Sequence, residues 1–225
     1  MPGCYSSLGS VGGVSRFLWV IFDNDGVLVD SERLANEILA ELLTGYGWPL
    51  TADESVELFL GGTLKRVRDL AEERLGCPLD TDFEDVYHRA LFERFRTDLR
   101  PVPGVADVVR AVAPHCSVAS SGGRERIRRS LALTGLAAYF ADRIVSSDDV
   151  EHGKPAPDLF LLAARQQQVA PAQCVVIEDS AAGVSAARAA GMTCLAYAAV
   201  TPAALLAGAD AVFTSMEQLP ALLGL

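Results

Sequence analysis

The sequence lacks most of the marks of a secreted, membrane-spanning or thiolate-metal protein. Its five cysteines form no CxxC pair and no zinc-like spacing, and an odd number fits no complete disulfide framework. No stretch approaches the roughly 18 consecutive apolar residues that would cross a bilayer. Residues 1–16 are rich in Gly and Ser and lack the charged start and apolar centre of a signal peptide. We therefore expect a cytoplasmic protein without membrane association, with residues 1–16 as a flexible leader.

Positive charge is also scarce. The chain has 19 basic and 29 acidic residues, for a formal net charge of -10. Nonspecific nucleic-acid binding needs a positive surface, so we expect no nucleic-acid partner. A small anionic ligand is still compatible, because a local site can be positive on an acidic protein. No coiled-coil seam or interface helix stands out, and we expect a monomer.

The chain from residue 101 onward alternates short apolar runs with helical patterns. The strand-like runs are HCSVAS (115–120), RIVSS (143–147), CVVIED (174–179), TCLAYA (193–198) and AVFT (211–214). Four adjacent apolar residues in CVVIED are typical of a strand that is covered on both faces. The alternation predicts an α/β fold, with a Rossmann-like parallel sheet and helices on both of its faces.

The segment 32–99 differs from the rest of the chain because it shows helical spacing only. Apolar residues recur at three- or four-residue steps in three separate stretches, and no convincing strand interrupts them. By count the segment carries 8 basic and 15 acidic residues, and so most of the negative charge. We predict an all-helical cap domain (32–99) that is inserted into a core formed by residues 17–31 and 100–225.

Chemically reactive side chains follow the predicted strands directly. They are Asp23 and Asp25 after FLWVIF, Ser120 and Ser121 after HCSVA, Lys154 in the loop after RIVSS, and Glu178 and Asp179 after CVVI. Singly, each is more simply explained as a helix cap or a solvated loop residue. In an open parallel sheet, however, the carboxyl ends of the strands meet at the edge where ligands bind. Several aspartates at one edge suit Mg²⁺, which takes a few carboxylates together with water and phosphate.

With these residues in place, the chain resembles the haloacid dehalogenase-like hydrolase superfamily. The resemblance is to the helical-cap branch, which includes phosphatases and beta-phosphoglucomutase-like enzymes. It covers Phe17 to Leu225 and rests on four ordered motifs: FDNDGVLVDSE, VASSG, GKPAPD and VVIEDSAAGVSAARAAG. It implies phosphoryl transfer from a small phosphorylated metabolite, such as a sugar phosphate.

The resemblance implies catalytic roles for Asp23, Asp25, Ser120 and Lys154, and a phosphate-binding role for Ser121. Asp23 would attack phosphorus and form an aspartyl-phosphate. Asp25 would protonate the leaving oxygen and then activate water. Ser120, Ser121 and Lys154 would bind the phosphoryl oxygens.

The resemblance also implies a Mg²⁺ cofactor. The ion would be held by the side chain of Asp23, the backbone carbonyl of Asp25 and the side chain of Asp179. Glu178 would contact it only indirectly. The cation would let an anionic carboxylate approach an anionic phosphate.

Two positions separate the members of this superfamily. Its dehalogenases and phosphonate-cleaving enzymes lack an acid two residues after the nucleophile, so Asp25 favours phosphoryl transfer. Sugar-phosphate mutases share both aspartates, but those that this chain most resembles have a histidine at the position of Ala35. We therefore expect a phosphatase, with a mutase as the alternative. A non-catalytic binding protein would be expected to have lost a motif residue, and all are present.

Substrate choice in this branch resides mainly in the cap, which closes over the site. The glycine-rich stretch GGT (61–63), followed by Lys65 and Arg66, is our candidate for cap contacts with substrate. A solvated helix face explains these two cations equally well.

Overall fold

A computed structural model describes residues 17–59 and 64–225. The predicted leader (1–16) and the GGT stretch (61–63) lie outside the described residues. The strands are β1 (Trp19–Phe22), β2 (Cys116–Ala119), β3 (Ile144–Val145), β4 (Cys174–Glu178), β5 (Thr193–Tyr197) and β6 (Ala211–Phe213). The helices are α1 (Ser31–Gly45), α2 (Ala52–Phe59), α3 (Leu64–Leu75), α4 (Phe83–Asp98), α5 (Val105–Val112), α6 (Arg124–Leu133), α7 (Ala137–Phe140), α8 (Asp158–Gln166), α9 (Ala181–Ala189) and α10 (Leu219–Leu223). No helix in the described ranges is long and apolar enough to span a membrane.

The six strands form one parallel sheet in the order β3-β2-β1-β4-β5-β6, which confirms the α/β prediction. β1 lies near the centre, between β2 and β4. In register, Phe22 of β1 is level with Val118 of β2 and with Ile177 of β4. The residues that follow these three positions therefore leave the sheet side by side, at the edge where an open parallel sheet binds its ligands.

Both faces of the sheet are covered. Successive residues of β1 divide between two hydrophobic clusters: Val20 and Phe22 belong to one, and Trp19 and Ile21 to the other. Helices α5 and α6 pack in the first cluster, and α8 and α9 in the second. Every residue of β4 is buried, as expected for a strand that is covered on both sides. The two helical layers therefore hold the central strands, and the loops that follow them, in place.

Helices α1 to α4 fill the interval between β1 and α5, where the described residues contain no strand. Buried side chains of α1 and α4 continue the first hydrophobic cluster of the sheet. The chain enters and leaves this interval through adjacent segments. The Asp30 amide donates to the Arg100 carbonyl at 3.0 Å, and the Val102 amide donates to the Leu28 carbonyl at 3.0 Å. The division into a core and a cap domain at 32–99 stays a prediction.

Candidate active site

The polar residues that follow the central strands line one cavity of about 260 Å³. The lining residues are Asp23, Asp25, Glu32, Ser120, Ser121, Gly122, Arg126, Lys154, Glu178, Asp179 and Ser180. All seven core residues that were singled out from the sequence are among them. The structure thus brings together side chains from four separate segments of the chain.

Lys154 lies at the buried end of this cavity, although its loop position alone suggested a solvated residue. Its side chain is only 4% exposed, and its ammonium bonds Asp23 Oδ1 and Glu178 Oε1, both at 2.5 Å. Burial opposes the charge of Lys154, but the two carboxylates raise its pKa above the ordinary value. Lys154 is therefore a permanent cation beside the predicted nucleophile.

Glu178 organises the loop that carries Asp179. Its Oε2 accepts hydrogen bonds from the Asp179 and Ser180 amides, both at 2.8 Å, and from the Ser180 hydroxyl at 2.9 Å. Its other oxygen is taken by Lys154. Gly183 of α9 leaves room for this carboxylate, because a Cβ there would overlap it. Ser180 in turn caps α9 by accepting from the Gly183 amide at 3.0 Å, as its position before the helix predicted.

The carboxylates at this edge of the sheet carry more negative charge than the neighbouring cations balance. Burial raises the pKa of Asp23 to about 7, although the Lys154 ammonium beside it acts in the opposite direction. The charges of Glu178 and Asp25 contribute to this rise. Burial also raises the pKa of Asp179 well above its ordinary value, and the carboxylates of Glu178 and Asp23 add to the shift. The ionised forms are therefore disfavoured unless more positive charge is present.

These residues fit the predicted Mg²⁺ site. Asp23 and Asp179 supply carboxylate oxygens, and no described group donates a hydrogen bond to the Asp179 carboxylate. That carboxylate packs against the backbone of Gly26, where a Cβ would overlap it. Within the described parts of the chain, no three His, Cys, Asp or Glu side chains form a metal-binding group. The predicted set is of another kind, with two carboxylates and the backbone carbonyl of Asp25.

Asp25 is held on one side and free on the other. Its Oδ1 accepts from the Ser31 hydroxyl at 2.6 Å and from Arg126 Nη2 at 2.7 Å. Its Oδ2 has no partner among the described residues. A Cβ placed on Gly122 would lie 3.6 Å from this Oδ2 and 3.5 Å from Ser120 Oγ, so the two groups flank one point of the cavity. A fixed carboxylate with one free oxygen is suited to proton transfer.

Sequence reasoning missed two residues that line the cavity, Glu32 and Arg126. Glu32 lies in the first turn of α1. Burial and the Asp25 carboxylate raise the pKa of Glu32, whereas the Arg126 guanidinium lowers it. Arg126 lies on the first turn of α6, where several arginines stand close together and the sequence does not show which one faces inward.

The cap residues that were singled out from the sequence lie elsewhere. Lys65 is 80% exposed and pairs with Asp69 at 2.6 Å, and Arg66 is also exposed. Neither is among the residues that line the cavity. Their role as substrate contacts stays a prediction. Ala35 is half-buried on α1 and packs against the first hydrophobic cluster.

A family model described as haloacid dehalogenase-like hydrolase matches residues 18–191. The chain belongs to the haloacid dehalogenase-like hydrolases. Within this family, the fructose-1-phosphate phosphatase YqaB of Escherichia coli is 37% identical over 184 residues, which cover 79% of this chain and 94% of YqaB. A solved structure of a haloacid dehalogenase-like protein of unknown function from Agrobacterium tumefaciens matches with a TM-score of 0.86 and 36% identity. That match covers 92% of this chain and 97% of the other.

Relatives of this haloacid dehalogenase-like chain differ greatly in length. The protein SUPPRESSOR OF QUENCHING 1, chloroplastic, of Arabidopsis thaliana is 35% identical over 205 residues. The match covers 83% of this chain but 18% of the plant protein. The chain therefore spans less than a fifth of the length of this relative.

Proposed function

We propose that this hydrolase is a Mg²⁺-dependent phosphatase. It cleaves small phosphorylated metabolites, such as sugar phosphates, through an aspartyl-phosphate intermediate. The observation that carries the proposal is the pairing of two differently held carboxylates in one cavity. Asp23 is bonded to the Lys154 ammonium, and Asp25 has a free oxygen beside Ser120. The likeness to a fructose-1-phosphate phosphatase supports the substrate class.

In the proposed reaction, an oxygen of Asp23 bonds to phosphorus while the bond from phosphorus to the ester oxygen breaks. Asp25 donates a proton to that ester oxygen, and its carboxylate then takes a proton from the water that cleaves the aspartyl-phosphate. Lys154 and Ser120 hold the phosphoryl oxygens. The Ser120 oxygen accepts from the Gly122 amide at 3.1 Å, so its hydroxyl proton is free to donate. Asp23, Asp179 and the backbone carbonyl of Asp25 would hold Mg²⁺, which would offset the negative charge of the carboxylate and the phosphate.

The acceptor in the second step distinguishes a phosphatase from a mutase. In the mutases that the chain resembles, a histidine at position 35 helps to activate a sugar hydroxyl. Ala35 has no group that could do this, and it packs against apolar neighbours. Water is therefore the acceptor that this site favours.

The experiment measures phosphate release from sugar phosphates and p-nitrophenyl phosphate, with and without Mg²⁺. We expect metal-dependent release by the wild type and none by Asp23→Asn. Asp142→Asn is the matched control, since that carboxylate is 99% exposed and the substitution should leave activity unchanged. Interconversion of hexose phosphates without phosphate release would establish a mutase. The absence of both activities in the wild type would refute a catalytic role.

A further inference from the structure

The cavity contains a second cation besides Lys154. Its lining holds five carboxylates and two cations, and Arg126 is the cation that the proposed reaction does not use. Asp23 and Glu178 take two of the three donors of the Lys154 ammonium, at the phosphoryl end of the cavity. Arg126 bonds Asp25, the residue that protonates the leaving group. Arg126 therefore stands on the leaving-group side of the proposed reaction.

The Arg126 guanidinium is held by the Phe95 ring and by Asp25, and its Nη1 group remains available to a ligand. It lies 5.7 Å from the ring centre of Phe95, a buried residue of α4, and its Nε is buried without a partner among the described residues. Burying an unpaired N–H costs free energy, so a natural protein is expected to retain one for a reason. Nη2 bonds Asp25, while Nη1 has no hydrogen bond to any described residue. The Arg126 side chain is 31% exposed, so a ligand can reach Nη1.

We infer that Arg126 forms a leaving-group subsite that selects phosphate esters of sugar acids or hydroxy acids, whose leaving group carries a carboxylate. The inference rests on the proposed phosphatase function and narrows its substrate class. A guanidinium binds a carboxylate through strong charge-assisted hydrogen bonds, and a neutral polyol gains no such interaction. A second phosphate fits less well, because its additional charge would face five carboxylates.

The test compares esters that differ in the carboxylate alone. One pair is 3-phosphoglycerate and glycerol 3-phosphate, and the other is 6-phosphogluconate and glucitol 6-phosphate. We expect the wild type to favour each acid in kcat/KM by about tenfold or more, the range of one charged hydrogen bond. In Arg126→Gln the ratio of acid to alcohol should fall close to one. Arg128→Gln is the matched control on the same helix, since Arg128 pairs at 3.6 Å with the exposed Asp142.

The ratio separates this inference from simpler explanations. A residue that only positions Asp25 would lower the rates of acid and alcohol alike and leave the ratio unchanged, which would overturn the inference. The inference would also be overturned if the wild type showed no preference for the acids, or if it preferred fructose 1,6-bisphosphate to both acids. Arg126→Lys keeps the charge but not the planar fork, so an intermediate ratio is expected if Arg126→Gln does not fold.

The proposed phosphatase function is judged separately, by turnover of the alcohol esters and of p-nitrophenyl phosphate. If the wild type cleaves no ester, the subsite is tested by binding, as the rise in melting temperature that each ester causes. A larger rise with 3-phosphoglycerate than with glycerol 3-phosphate, lost in Arg126→Gln, would support the subsite without catalysis. Equal rises would refute it.

Discussion

Two glycines allow a direct test of where the cation binds. Gly26 and Gly76 both have a left-handed backbone, with φ of +75° and +71°. Alanine at either position should therefore cost a similar backbone strain of about 1–2 kcal/mol. Their surroundings differ, because a Cβ on Gly26 would overlap the Asp179 carboxylate, whereas a Cβ on Gly76 meets nothing within 4 Å. A comparison of Gly26→Ala with Gly76→Ala therefore isolates the effect of displacing the Asp179 carboxylate.

The expected effect is larger on metal binding than on the fold. Asp179 has two side-chain torsions, so Gly26→Ala should turn its carboxylate away from the cavity rather than disrupt the backbone. An off-rotamer side chain costs about 1 kcal/mol, so the metal-free variants should differ by about this amount. At a concentration hundredfold above its Kd, Mg²⁺ stabilises the native state by about 2.7 kcal/mol. For a protein of this size, that corresponds to a rise in melting temperature of roughly 5–11 °C.

The assay is thermal unfolding of the wild type, Gly26→Ala and Gly76→Ala, each with and without millimolar Mg²⁺. We expect the wild type and Gly76→Ala to show the full rise and Gly26→Ala to show little or none. A full rise in Gly26→Ala would show that displacing Asp179 does not matter, and it would refute the assignment of Asp179 as a ligand. The absence of a rise in all three would refute the metal site itself.

Two further predictions concern the buried carboxylates. The pKa of Asp23, raised to about 7, means that this group stabilises the metal-free protein at low pH and that the contribution is lost as pH rises from about 4 through about 7. Mg²⁺ binds the ionised form, so its stabilising effect should grow from about pH 5 to about pH 8, and equal effects at both would contradict this reasoning. Gly183→Ala would overlap the Glu178 carboxylate, and we expect a loss of about 2–4 kcal/mol in urea unfolding together with a loss of activity. Gly45→Ala, where nothing lies within 4 Å, should be neutral or gain up to about 1 kcal/mol, and equal stability of both variants would show that Glu178 is not confined as described.

The sheet and its catalytic edge could be predicted because both depend on local patterns. A buried strand such as β4 is a run of apolar residues, and the residue after it must lie at the sheet edge. Short helices are harder to predict from the sequence than buried strands. Helix α5 contains four valines in eight residues, a composition that favours strands, and packing against the sheet decides its structure. Helix α2 is also only eight residues long, and it was not predicted.

Contacts between distant segments could not be predicted in the same way. Lys154 is buried because Asp23, 131 residues earlier, meets it across the cavity. Which arginine of α6 faces Asp25 depends on how that helix is rotated, and the sequence shows several candidates. The Arg126 guanidinium meets the Phe95 ring only because α4 packs beside α6. Side-chain pairs of this kind follow from tertiary packing, and no sequence spacing encodes them.

The imbalance of charge in the cavity connects the proposed metal with the proposed substrate. Lys154 compensates Asp23 and Glu178, and Arg126 compensates Asp25. Asp179 has no cationic partner among the described residues, although it is buried. A divalent cation beside Asp179 would balance most of the excess negative charge in the cavity. The phosphoryl group of a substrate could then enter without repulsion from unbalanced carboxylates. A leaving group with one further negative charge would still need a cation of its own, and the free Nη1 of Arg126 is the described group that can supply it.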